Sequence, residues 1–194
     1  MCRGSEVVLV RSRDRLQCIM RNDLPLRTAV HAERLLVAIL LAVTVYIVAT
    51  IGRMPPIAAS HFMASGAANG LMTRGRYLAV MLVSAVGLPA FIGFVPARAL
   101  NGPTPRVNLP NRDYWFAPER RDGSVATLRA YLARVGAGLA VFMAYVHRLV
   151  LRANALHPPH LDSSALVVGI AVFLTWMLLL SAVLVRRFSG GAER

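Results

Sequence analysis

The sequence predicts an all-α integral membrane protein of four transmembrane helices with both termini in the cytoplasm, and three observations predict it. Hydrophobic residues make up 56% of the 194, above the apolar share of soluble globular domains. Four segments, at about 35–52, 77–97, 131–151 and 165–185, approach the roughly 20 apolar residues that a spanning helix needs. All 22 basic residues are arginine, against 9 acidic residues, and all but Arg134 and Arg148 lie outside the apolar runs. The stretch before the first run carries seven arginines, the loop between the second and third runs six, and the tail three. The first and third loops carry three and one, so the partition is sixteen against four. Basic residues are retained on the cytoplasmic side during insertion, which places the termini and the second loop inside and the other two loops outside.

Taken in order, residues 1–34 form a basic cytoplasmic segment. Residues 1–19 show no helical apolar stripe and are expected to be disordered, and Met20 is an alternative start. The first run, Leu35 to Gly52, is longer than a usual secretory-signal core and is followed by three further spans, so it is read as a retained helix rather than a cleaved leader. Cys2 and Cys18 both precede it, which supports neither a disulfide framework nor a thiolate metal site. The second run contains Gly87 and Gly93, and Pro89 should kink it. Gly136, Gly138 and Ala140 give the third run a small-residue surface for close helix packing. Arg134 and His147-Arg148 lie near its two ends, where they are expected to snorkel toward headgroups. The fourth run contains no charge. Residues 35–187 thus constitute one membrane domain, followed by a short cytoplasmic tail, 188–194.

Two loops carry most of the information. The first, residues 53–76, opens with Pro55-Pro56 and repeats glycine, which predicts an ordered turn-rich loop rather than a helix. The second, residues 98–130, holds Tyr114, Trp115 and Phe116 among charges. Such rings suit a membrane interface and would anchor the loop there. Pro118 fits the first turn of a new helix with Glu119 near its positive end, and Gly123 argues against an unbroken helix running on into the third span.

Together the loops resemble the DUF1648 membrane family, related to the amino-terminal domain of SdpI-like immunity proteins. The first-loop match is Pro55, His61-Phe62, Gly66, Gly70 and Thr73-Arg74. The second is the string from Asn108 and Leu109 through Pro110, Asn111, Arg112, Asp113, Tyr114, Trp115, Phe116, Ala117, Pro118, Glu119 and Arg120. This chain has Met63 where the family usually has an acid, and Leu71 where an aromatic often stands. The resemblance implies a bacterial plasma-membrane protein, and it implies sensing of, or immunity to, an extracellular peptide relayed to a cytosolic regulatory protein.

Each candidate residue also has a plainer role. His61 and Phe62, with Gly66, Gly70 and Arg74, either contact a ligand or brace the loop, Phe62 dipping into the membrane. His61, His157 and His160 are the nearest approach to a metal-ligand set. The extended His157-Pro158-Pro159-His160 string and the single outer acid, Asp162, favour solvated imidazoles instead, so no metal and no cofactor is expected. Asp113, Glu119 and Asp122 beside Arg112, Arg120 and Arg121 suit local salt bridges better than acid-base chemistry, and no catalytic motif occurs. No groove-reading motif accompanies the net charge of +13, which argues for anionic headgroups rather than nucleic acid. The function expected is that of a non-enzymatic sensor or immunity-type protein. A small channel or transporter subunit, acting as a homo-oligomer, and a structural or assembly subunit are the alternatives. Proton-coupled transport is disfavoured because none of the four runs contains Asp or Glu.

Overall fold

A computed structural model describes residues 12–100, 102, 108–109 and 111–189, with residues 12–24 described as backbone only. Cys2, Pro110 and residues 1–11 therefore lie outside the described residues, as does the side chain of Cys18. Six α-helices and one hairpin follow in order: α1 (Ser12–Thr50), β1 (Ile57–Phe62), β2 (Ala68–Thr73), α2 (Arg74–Leu82), α3 (Leu88–Ala99), α4 (Arg112–Trp115), α5 (Arg121–Asn154) and α6 (Ser163–Ser189). Among the described residues, four stretches are long and apolar enough to cross a membrane: Pro25–Arg53, Arg74–Ala99, Arg121–Asn154 and Ser163–Ser189.

The central element is α5. Its 34 residues extend about 51 Å at 1.5 Å per residue, well beyond a hydrocarbon core of about 30 Å. On one side α1 and α3 pack against it around Leu36, which is fully buried. A Cβ at Gly93 would collide with the Leu36 side chain, and one at Gly136 would come within 2.6 Å of the Pro89 carbonyl oxygen. Small residues therefore set how closely these helices approach. On the other side α6 meets α5 along one stripe. Phe142 stacks on Phe173 at 4.9 Å, Trp176 lies against Gly138, and Tyr145 lies against Gly169 and donates to the Ala165 carbonyl at 2.7 Å. The rest of α6 exposes Val168, Val172, Leu178 and Val183, as a helix surrounded by lipid would.

Several expectations are corrected. The fold is not purely α, because residues 57–73 pair as an antiparallel hairpin. α1 is helical from Ser12, far before Leu35, so Glu33 lies within the helix and within the apolar stretch from Pro25. Asp122 likewise lies within the stretch Arg121–Asn154, and both acids fall outside the runs at 35–52 and 131–151. α5 begins at Arg121 and passes Gly123 without a break, since a glycine in the first turn costs little where few ladder bonds depend on it. Pro118 sits in the turn before that helix, where the Ala117 carbonyl accepts from the amides of Arg120 and Arg121 at 2.9 and 3.0 Å. In the second stretch a π turn, Val83–Gly87, separates α2 from α3 immediately before Pro89.

Candidate functional site

The hairpin begins where α1 ends. Its turn is a three-residue loop: Met63 donates to the Ala67 carbonyl at 2.9 Å, and Gly66 donates to the Met63 carbonyl at 2.8 Å. Gly66 has φ +90°, the left-handed position that this loop type reserves for glycine. Packing gives a second reason, because a Cβ there would strike the Leu161 carbonyl and the His160 ring. Gly70 faces His61 across the strands, and a Cβ on it would lie 3.0 Å from that of His61.

Three devices tie this hairpin to the helices. Asn154, buried near the end of α5, accepts from the Ala59 amide at 2.8 Å and donates to the Ala59 carbonyl at 2.9 Å. Its side chain thereby acts as a short third strand on β1. On the other edge, the Leu161 amide donates to the Gly66 carbonyl at 2.8 Å, and Ala67 bridges to His160. At the base, Arg74 donates through its amide to Pro56 at 2.9 Å and through Nη1 to Met54 at 3.3 Å. Thr73 caps α2 by accepting from the Arg76 amide, and Asp162 caps α6 by accepting from the Ala165 amide.

Among the predicted first-loop residues, Gly66, Gly70 and Arg74 thus shape and brace the hairpin. Phe62 is partly buried and packs against the protein core. His61 is exposed, with Nδ1 3.1 Å from Ser60 Oγ. His157 is also exposed, and His160 lies at the hairpin turn. Among the described residues, no three His, Cys, Asp or Glu side chains come close enough to hold a metal ion.

Directly beneath the hairpin lies a polar node that sequence reasoning missed. His147, expected to snorkel, is fully buried. Its Nε2 is 3.0 Å from Thr50 Oγ1 on α1, and its Nδ1 is 3.0 Å from Tyr77 Oη on α2. The Thr50 hydroxyl donates its one proton to the Tyr46 carbonyl at 2.6 Å, so Thr50 accepts from His147. That assigns the proton to Nε2 and makes Nδ1 the acceptor of the Tyr77 hydroxyl. Tyr46 and Tyr77 enclose the ring at centroid distances of 5.5 and 5.8 Å. The only sequence signal was helical spacing, since His147 and Asn154 lie seven residues apart, two turns on one face of α5.

The second-loop motif lies at the far end of the helices, about 35 Å from His147 along α5 by residue count. Asn111 has φ 53°, a conformation asparagine tolerates, and opens α4. Trp115 donates through Nε1 to the Phe188 carbonyl at 2.9 Å, and the two rings meet edge-on at 5.1 Å. It therefore satisfies a carbonyl that the end of α6 leaves open. Ser124 Oγ donates to the Trp115 carbonyl at 2.8 Å, and the Arg120 guanidinium lies 4.0 Å over the Tyr114 ring. Asn108, Arg112, Asp113, Pro118, Glu119 and Arg120 are exposed around this seam. Nearby, Arg129 holds Glu33 through two bonds of 2.8 and 3.0 Å, joining α5 to α1.

The structure therefore gathers the two predicted residue sets into two separate caps joined by the helices. Comparison of the chain with protein families, curated proteins and solved structures yields no match.

Proposed function

We propose that the chain is a multi-pass protein of a bacterial plasma membrane, with the hairpin outside and the termini and residues 98–130 in the cytoplasm. In that setting it acts as a non-enzymatic sensor or immunity-type protein, as the DUF1648 resemblance implies. The braced hairpin meets an extracellular peptide, and the aromatic cap around Trp115 meets a cytosolic regulatory protein. One observation carries this reading: Asn154 fixes β1 to the helix that also bears His147, and His147 is bonded to both neighbouring helices. The hairpin thus sits on the node where α1, α2 and α5 meet. The sixteen-to-four partition of arginines supports the direction.

The test combines topology with partner capture. Single cysteines at Ser65, Asn111 and Ser163, in a background lacking Cys2 and Cys18, are exposed to an impermeant maleimide on intact cells. Labelling of the first and third but not the second is expected, and the reverse pattern would end the proposal. The full chain is then purified from cells with and without the peptide fraction of conditioned medium. A cytosolic protein whose recovery changes with the fraction supports sensing, and unchanged recovery of every co-purifying protein counts against it.

A further inference from the structure

The second apolar stretch is built differently from the other three, and the difference falls at its middle. Between α2 and α3 the π turn at Val83–Gly87 carries an i→i−5 bond from the Leu88 amide to the Val83 carbonyl. One residue later Pro89 has no amide to donate, and its ring is incompatible with a regular α-helical turn at the preceding carbonyls. The widened turn accommodates the proline, and the hydrogen-bond ladder is interrupted there. Helix bends have two such recurrent causes, proline and the π turn, and both occur within seven residues here.

The two halves on either side of this break are held by different things. α2 is tied to the hairpin base through Arg74, and to His147 through Tyr77. α3 is wedged at Gly93 against Leu36 and Ala133, and beyond its end Leu100 is buried in the far cap with Val125, Leu128 and Phe188. By contrast, α1 and α5 are joined to each other at both ends, through Thr50 and His147 at one and through Glu33 and Arg129 at the other. The two long helices form a frame, whereas the second stretch has one half fastened to each cap.

We infer that the π turn at Val83–Gly87, with Pro89, is a hinge about which α2 tilts against a fixed frame of α1, α3 and α5, so that the hairpin's position is read out as a bend in the second span. The inference rests on the membrane-sensor reading for its purpose and on the backbone break for its mechanics. Motion of the hairpin moves α2 through Arg74, and the bond from Tyr77 to His147 of α5 restrains that tilt. The wedge at Gly93 holds α3, and the bend concentrates where the ladder is already open.

Pulsed electron spin resonance on the full chain in lipid nanodiscs tests this without any signal molecule. Spin labels replace Val80 and Val95, exposed residues on either side of the break. A control pair replaces Val168 and Val183, also exposed and the same fifteen residues apart on unbroken α6. Both separations are about 22 Å along a straight helix. The first distribution is expected to be about twice as wide as the second, and Pro89→Ala, which restores the amide and removes the ring, should narrow it. In Tyr77→Phe the 80–95 distribution should broaden further, while a pair at Val37 and Val95, between α1 and α3, stays unchanged. Equal widths for the two fifteen-residue pairs would overturn the inference. So would a Tyr77→Phe change that appears equally in the 37–95 pair, because the second span would then move as a rigid rod. None of these readouts depends on a ligand, so loss of the sensor reading would leave the hinge standing, and loss of the hinge would leave topology and partner capture untouched.

Discussion

Replacing His147 by alanine would remove the acceptor of the Tyr77 hydroxyl, the donor to Thr50 Oγ1 and a fully buried ring in one step. The Thr50 hydroxyl would keep its own bond to the Tyr46 carbonyl, so the stranded group is the tyrosine. A buried hydroxyl without a partner costs about 1–3 kcal/mol, and the cavity adds to that. His147→Ala is therefore expected to destabilise the fold by about 3 kcal/mol or more. Tyr77→Phe removes one interhelical bond and keeps the ring, at a cost of about 0.6–1.5 kcal/mol in a membrane setting. Reversible unfolding in mixed micelles separates the two. A negligible Tyr77→Phe effect beside a large His147→Ala effect would show that the histidine is a space-filler and the node has no cohesive role.

At the scale of elements, the helices follow from apolar run length, but their joints do not. The hairpin escaped prediction because its strands are written in alanine, serine and glycine, for instance Ala58-Ala59-Ser60 and Ala68-Asn69-Gly70, which carry little strand preference. What makes them strands is tertiary: Asn154 occupies one edge and Leu161 the other. Likewise, the start of α1 was hidden because residues before Leu35 lack an apolar run, and Glu33 is tolerated there because Arg129 meets it. That pair is only partly shielded, with 20% and 32% of the Glu33 and Arg129 side chains exposed, so its worth is about 0.5–1 kcal/mol. Its bidentate geometry makes it a test of the α1 to α5 register. Glu33→Arg and Arg129→Glu should each destabilise, and the double exchange should recover part of the loss. Additive losses in a double-mutant cycle would show that the two helix ends are held by apolar packing alone.

At the scale of the whole molecule, the chain has two caps of opposite character joined by helices, and the arginine distribution was the part of this most legible in the sequence. The residues of the two caps were legible as motifs, because Gly66, Gly70, Arg74 and Trp115 all proved to have structural partners. Their roles were not, because a motif names residues without naming what they touch, as Trp115 reaching Phe188 across 73 positions shows. Arg186 and Arg187, in the last turn of α6, complement the negative end of the helix dipole and belong to the larger group in the sixteen-to-four partition of arginines. If orientation is set by the summed arginine bias, replacing both by alanine lowers the count on that side from sixteen to fourteen, still against four. The maleimide pattern at Ser65, Asn111 and Ser163 should then be unchanged, while thermal stability falls by about 0.3–1 kcal/mol for each lost helix-end charge. A population with Ser163 protected and the tail accessible would mean that the last span inserts on its local flanks, independently of the rest. In that event the α5 to α6 stripe through Phe142 and Phe173 could not form, because it requires the two helices to run in opposite directions.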